Sequence, residues 1–322
     1  MKRFLIIQTA FLGDVILSTP LLLELKRIYP EALIDVVVRK GNESLLLNNP
    51  HVNTVFVWAK KEGKYLSLRK LIREIRSYNY DETITLQRYA SAAIMTFFVR
   101  AKVKIGFSNA SLSWVYSKTV AHSLLNGDHE VTRNLSTIQH HGAQTIVRPE
   151  LYPSKEDFEN VTEYKTTPYY CLAPASVWFT KQLPQEKWME LIAELHGKGH
   201  IYLLGGPGDT ELCNAIAADH PNCSVLAGKL TLLESAALMR DARMNFVNDS
   251  GPLHIASAMN APVRAFFCST VPSFGFGPLS ENAEVIEVQE KLACRPCGNH
   301  GHKACPEGHF KCGLGIVIPK IS

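Results

Sequence analysis

The chain has 322 residues, of which 46% are hydrophobic and 20% charged, the profile of a globular protein filling two cores of about 150 residues each. Its net charge of +4 comes without a dense basic stripe carrying interleaved aromatics, which excludes nucleic acid as the partner, and no apolar run is long enough to cross a membrane as a helix. Met1-Lys2-Arg3 and the apolar run behind it look like a signal peptide, but Gln8, the Gly13-Asp14 pair and the missing small-residue cleavage site argue for a cytoplasmic protein.

Apolar runs alternate with helical patterns throughout, the signature of stacked β-α units with parallel sheets. The first strand is predicted at Arg3–Gln8 and runs into Thr9-Ala10-Phe11-Leu12-Gly13-Asp14, ahead of a helix over Val15–Ile28. Gly13 permits a tight turn, and Asp14 then stands at the helix N-terminus, where a carboxylate serves either as a cap or as a general base for an acceptor hydroxyl. Strands follow at Ile34–Arg39 and Thr54–Trp58. Lys60, Lys61, Lys64, Arg69, Lys70, Arg73 and Arg76 then surround the helically spaced Leu68, Leu71, Ile72 and Ile75. This basic amphipathic helix is either a solvated face or a contact with an anionic membrane surface. Strands at Glu82–Gln87 and Val103–Phe107, with a helix over Ser91–Val99 between them, complete the first half. The interval Tyr152–Pro168 has no core pattern and marks the boundary, giving domains at 1–160 and 161–322.

The second half repeats the scheme, with strands at Tyr169–Ala173, His200–Leu204, Ser224–Leu226, Met244–Asn248 and Val263–Cys268. Its helices are predicted over Gln185–His196, Thr210–Asp219, Leu232–Arg240 and Pro252–Met259. After its first strand comes Pro174-Ala175-Ser176-Val177-Trp178-Phe179-Thr180-Lys181, where Lys181 is a lone cation on a loop, either a solvated lysine or the charge that balances a departing diphosphate. In Leu204-Gly205-Gly206-Pro207-Gly208-Asp209-Thr210-Glu211 the glycines let a nucleotide approach, and Asp209 or Glu211 can accept from ribose hydroxyls; a capped turn is the alternative. In Asn248-Asp249-Ser250-Gly251-Pro252-Leu253-His254 a strand gives way to a helix. Asp249 or Ser250 can cap it, Pro252 costs no hydrogen bond, Gly251 admits a ligand to the backbone, and the helix end forms an anion site. His254, one turn in, either donates to a phosphate or is a satisfied core histidine. No G-x-G-x-x-G fingerprint follows the first strand, which counts against a nicotinamide or flavin dehydrogenase. Two Rossmann-like halves of this kind are expected to bind ligands in a cleft between the carboxyl ends of their parallel sheets.

Cys171, Cys213, Cys223 and Cys268 lie in apolar segments and read as buried small hydrophobes. Cys294, Cys297, Cys305 and Cys312 are instead crowded together, with His300, His302 and His309 among them. Such a group suggests a structural zinc site, with free thiols under a loop or bridges formed on purification as the alternatives.

Taken in order, Phe11-Leu12-Gly13-Asp14 with Ser18-Thr19-Pro20, His129-Glu130-Val131 with Arg133-Asn134-Leu135, Ala175 through Lys181, Leu204 through Asp209, Asp249 through His254 and the cysteine-rich tail resemble the ADP-heptose:lipopolysaccharide heptosyltransferases, the inverting glycosyltransferase family 9. The resemblance implies an α/β GT-B fold with the acceptor in the N-terminal half, the nucleotide sugar in the C-terminal half and the reaction between them. It implies Asp14 as general base and Lys181 on the diphosphate. Around the nucleotide sugar it implies Thr9, Gly13, Ser176, Asp209, Glu211, Asp249, Ser250, Gly251, Pro252 and His254. The partners it implies are an ADP-sugar donor and a lipid A–core glycolipid acceptor at the inner membrane face. No D-x-D-type metal motif is present, so no cofactor is expected in the reaction, and any zinc in the tail is structural. The rival readings are a GT-B-type nucleotide-sugar epimerase or hydrolase, and a non-catalytic nucleotide-sugar-binding protein of polysaccharide assembly.

Overall fold

A computed structural model describes residues 1–321 and divides the chain into two compact units, Met1–Tyr152 and Pro153–Ser322. The first unit holds strands β1 (Arg3–Gln8), β2 (Leu33–Arg39), β3 (Thr54–Trp58), β4 (Tyr80–Thr85), β5 (Ala101–Phe107) and β6 (Lys118–Val120), all parallel, in the order β3-β2-β1-β4-β5-β6. The second holds β7 (Tyr169–Ala173), β8 (His200–Leu203), β9 (Cys223–Val225), β10 (Met244–Asn248), β11 (Val263–Phe267) and β12 (Ala283–Glu287), again all parallel, in the order β12-β11-β10-β7-β8-β9. The two orders describe one topology. In each sheet the chain winds outward from its first strand, then returns to that strand's other side. The reversal falls between β1 and β4 in one unit and between β7 and β10 in the other, and such switch points open a crevice at the carboxyl ends of the strands.

The central strands are buried on both faces, as their unbroken apolar runs require: Phe4, Leu5, Ile6 and Ile7 of β1 are fully covered, as are Val36, Val37 and Val38 of β2. Trp58, Leu68, Leu71, Ile75 and Met95 close one face of the first sheet, and Trp188, Leu191, Ile192, Phe246 and Phe266 build the core of the second unit. The two strands absent from the sequence reading, β6 and β12, are edge strands with no fully buried residue. An edge strand is specified by its neighbour's free backbone groups and carries no apolar pattern of its own.

The single helix expected over Val15–Ile28 is two, Leu12–Ile16 and Thr19–Ile28. Pro20 has no N–H to offer the carbonyl of Ile16, so the ladder breaks there. The Thr19 hydroxyl satisfies that carbonyl at 2.8 Å and the Ser18 hydroxyl donates to the Val15 carbonyl at 2.7 Å. Ser18-Thr19-Pro20 is thus a built joint that frees the short helix carrying Asp14 from the direction of the longer one.

Candidate functional site

Each switch point gathers the motifs singled out from sequence, and each is described within its own unit. At the end of β1 the buried Gln8 Oε1 accepts from Gln87 Nε2 at 2.9 Å, tying the chain beyond β1 to the chain beyond β4. Asn42 Nδ2 donates to the Ala10 carbonyl at 3.0 Å from the β2 side. Held by these amides, residues 9–11 lead into the helix Leu12–Ile16, where Asp14 is the third residue and half-buried. Its Oδ2 accepts from the Phe11 N–H at 3.2 Å, so the carboxylate reaches back over the helix start. The capping reading therefore describes one of its contacts, made from inside the helix rather than from the cap position. Gly13 is inside the same helix and is not among the residues in the left-handed region, so the tight turn expected of it is not formed.

The His129–Asn134 motif supports this short helix from below. His129 Nδ1 accepts from the Val131 N–H at 3.2 Å and caps the helix Glu130–Ser136. Asn134 Nδ2 then donates to the Leu17 carbonyl at 3.1 Å. Arg133 and Glu130 pair at 2.8 Å out of solvent, with His122 Nε2 3.5 Å from the same carboxylate. Burial raises the Glu130 carboxyl, but the His122 and Arg133 contacts outweigh it and hold it below the usual range.

In the second unit, Lys181 is not the lone cation expected from sequence. Its Nζ lies 2.7 Å from Asp249 Oδ2, and with side-chain exposures of 16% and 6% neither group is a solvated surface charge. Thr270, in the loop that follows β11, donates its hydroxyl to the same Asp249 oxygen at 2.6 Å. The loops after β7, β10 and β11 thereby meet over the switch point. Asn248 fastens them: its Nδ2 donates to the Pro174 carbonyl at 2.7 Å and its Oδ1 accepts from the Leu183 N–H at 2.9 Å. Gln182 Nε2 donates to the Ser176 carbonyl at 2.6 Å, which folds the loop 174–182 back on itself.

Beside this ion pair begins the helix Gly251–Ala258, with Ser250 at its cap position and Pro252 in its first turn. No side chain among the described residues caps it, and the Ser250 hydroxyl faces the carbonyls of Ala175 and Asn248, each at 3.4 Å. Pro252 has no N–H and the Leu253 N–H donates to the Ser250 carbonyl at 3.1 Å, so the Gly251 amide and the positive end of the helix, beside the ammonium, form a locus suited to a phosphate. His254 follows in the same helix, buried, with its ring edge toward Phe276 at 6.5 Å.

The glycine loop after β8 is more self-contained. Asp209 Oδ2 accepts from the Gly206 N–H at 2.8 Å and so closes the turn. A Cβ on Gly205 would stand 2.8 Å from Asp209 Cβ, which explains glycine there. Glu211, two residues on, is exposed. The capped-turn alternative accounts for Asp209, while Glu211 keeps an outward carboxylate.

The cysteine-rich tail packs behind the Lys181 loop. Thr180 and His302 exchange backbone contacts, with Thr180 N–H donating to the His302 carbonyl at 3.1 Å and His302 N–H donating to Thr180 Oγ1 at 2.7 Å. Gly301, in the left-handed region at φ +76°, sits so close that a Cβ would meet Lys181 Cγ at 2.9 Å. Arg295 spans the carbonyls of Phe267, Cys268 and Thr270 at 2.6–3.0 Å. Neither Gly301 nor Arg295 stood out in sequence, because contacts to the chain about 120 residues back beside Gly301, and 25–28 residues back at Arg295, have no local signature. The four tail thiols are neighbours: burial first, then Cys305 and Cys294, pushes Cys312 up to about 11 and Cys297 upward. Cys294 Sγ lies 3.9 Å from His309 Nε2. Among the described residues, the one trio of metal-type ligand atoms all within 4.8 Å of one another lies elsewhere, at Glu82, His140 and His141.

Comparison with known proteins gives these features a context. The model of glycosyltransferase family 9 (heptosyltransferase) matches residues 68–308. Lipopolysaccharide heptosyltransferase 3 of Escherichia coli is 30% identical over 291 residues, covering 84% of this chain and 85% of its own. Among solved structures, E. coli ADP-heptose lps heptosyltransferase II superposes with a TM-score of 0.78 at 23% identity, covering 97% of both chains. The iron-containing dodecameric glycosyltransferase TibC from enterotoxigenic E. coli superposes with a TM-score of 0.59 at 15% identity, covering 97% of this chain and 72% of that one. At these identities the structural likenesses speak for the fold, which is GT-B, built from two Rossmann-like units.

Proposed function

This chain belongs to glycosyltransferase family 9 and is a glycosyltransferase; from that premise we propose that it moves a heptose from an ADP-sugar onto a lipopolysaccharide core acceptor, with inversion at the anomeric carbon. The observation that carries the donor side of the reading is the Lys181–Asp249 pair beside the uncapped helix start at Gly251. An ammonium has three N–H donors, so Lys181 can keep Asp249 and still donate to a diphosphate oxygen. Asp249, itself held by Thr270, orients the lysine rather than meeting the anion.

The chemistry is a single displacement. Asp14 accepts the proton of the acceptor hydroxyl as its oxygen bonds to the anomeric carbon, and the carbon–oxygen bond to the diphosphate breaks. The electron pair leaves with ADP, and the growing negative charge is met by Lys181, the Gly251 amide and the positive end of the helix Gly251–Ala258. Ser176, Ser250, Gly251 and Pro252 line the path to the phosphates, His254 stands one turn behind, and Glu211 is the carboxylate offered to the ribose. The acid-base and electrostatic work falls to these side chains and amides, so the reaction itself requires no metal. Cys294, Cys297, Cys305 and Cys312 would hold a structural zinc ion, a reading that rests on their crowding in the sequence; among the described residues no three of their sulfur atoms lie all within 4.8 Å of one another.

The acceptor is a membrane glycolipid, and the helix Lys64–Ile75 offers a way to meet it from the cytoplasmic side. Leu68, Leu71 and Ile75 are buried, while Lys64, Tyr65, Leu66, Arg69, Lys70 and Arg73 face outward, cations beside apolar groups as a peripheral contact requires. Among the described residues no helix is long and apolar enough to cross a membrane.

The decisive experiment follows ADP release from ADP-heptose with and without a lipid A–core acceptor, with mass analysis of the products. Acceptor-dependent release and an acceptor heavier by one heptose are expected. Equal release without acceptor would point to hydrolysis, and an isomerised donor to epimerisation, and either would end the transfer reading.

A further inference from the structure

At the end of the first sheet remote from Asp14, Glu82, His140 and His141 converge. Glu82 pairs in register with Phe4 near the start of β1, whereas residues 9–14 follow the far end of that strand, roughly 15 Å away along the sheet. His141 Nε2 lies 3.0 Å from Glu82 Oε2, and His140 Nε2 lies 3.5 Å from the same oxygen. The three ligand atoms are all within 4.8 Å of one another. Two ligands bound about 2.0–2.1 Å from a tetrahedral ion stand roughly 3.3 Å apart, and the two observed separations bracket that value.

The surroundings are arranged for this too. The Tyr29 hydroxyl lies 3.0 Å from His141 Nδ1, the outer partner that fixes a ligating imidazole's tautomer and leaves its Nε2 lone pair facing inward. Tyr29 and Phe4 enclose the His141 ring edge-on at 5.3 and 6.1 Å, holding it in place. Glu82 is buried at the strand, while His140 is the outermost ligand and borders solvent. One Glu–His hydrogen bond would satisfy the buried carboxylate oxygen. A second imidazole nitrogen aimed at the same oxygen is more than an ordinary ion pair uses.

We propose that Glu82, His140 and His141 form a binding site for one divalent transition ion of the zinc class, completed by water on the His140 side. Two imidazoles and one carboxylate are a borderline ligand set that selects such ions over magnesium or calcium, which take oxygen ligands. The ion would join β4 to the turn Gln139–His141, which follows the helix Glu130–Ser136 packed against Leu17. The site is remote from both switch-point motifs of its unit, so the ion stabilises the unit and takes no part in transfer.

Cobalt(II) titration of the full chain, read by visible absorption and calorimetry, tests this and separates the site from the tail thiols. Thiolate ligation gives a strong near-ultraviolet charge-transfer band, whereas nitrogen–oxygen ligation gives weak visible bands alone. One equivalent with the weak signature is expected, lost in His140→Ala and in Glu82→Gln and weakened about tenfold in Tyr29→Phe, with the thiolate band unchanged in all three. Binding that shows the thiolate signature alone, or a nitrogen–oxygen equivalent that survives both ligand substitutions, would overturn the proposal and leave an ion pair only.

Discussion

At the switch point of the first sheet two neutral amides meet, Gln8 and Gln87; at the matching point of the second sheet a cation and an anion meet, Lys181 and Asp249. The strand order is the same in both units, so topology supplies the crevice in each, and the residues just past the strands decide what it can do. The amide pair fixes the backbone without a net charge, leaving the Asp14 carboxylate for the proton transfer proposed at that end. The ion pair places an ammonium beside the start of Gly251–Ala258, where both favour an anion. On the proposed function, one fold, repeated, yields a proton acceptor in one copy and an anion seat in the other.

The sharpest way to break this comparison is Asp14→Asn. It should lower the transfer rate by about a thousandfold, the share of a lost general base, while ADP affinity measured by calorimetry stays at the wild-type value. A transfer rate near wild type would remove Asp14 from the mechanism. Lys181→Ala should weaken ADP binding at least tenfold and also cost about 3 kcal/mol of stability, because Asp249 is left buried without its cation. The double variant Lys181→Met with Asp249→Leu should regain most of the lost melting temperature but none of the ADP affinity. Recovery of both would show the pair to be structural only. Gly301→Ala forces a side chain into the left-handed region and against Lys181, with a cost of about 1–2 kcal/mol. Calorimetry should find weaker ADP binding in this variant too, though less than for Lys181→Ala. Gln87→Ala should be the mildest, about 1 kcal/mol in denaturant melts for the hydrogen bond withdrawn from Gln8, with ADP affinity unchanged. If it weakened ADP binding as much as Gly301→Ala, the division of labour between the two switch points would fail.

Much of this was legible because the central strands are apolar on both faces and bounded by glycine, proline and polar residues; β1, β3, β7 and β10 occupy the residues their patterns predicted. Asp14, Lys181 and the Asn248–His254 stretch could be found because each follows such a strand. What escaped was contact across the sheet. Lys181 reads as unpaired in sequence because its partner follows a different strand, and Thr270 is invisible for the same reason. Gln87, one polar residue after the apolar end of β4, was counted as strand, although its amide belongs to the crevice. Gly13 misled in the other direction, since a glycine after a strand suggests a turn and here is an ordinary helical residue.

The brace on Lys181 also has a meaning in time. His302 and Thr180, which lock together behind the lysine, are separated by 122 residues. A ribosome delivers the chain in order, so Lys181 emerges well before the segment that will hold its loop. The amide pair can form once Gln87 has appeared, but the loop that carries Lys181 waits for residues 301–302 to fold back behind it. A nascent chain interrupted before Gly301 would carry the ammonium without the contacts that support its loop.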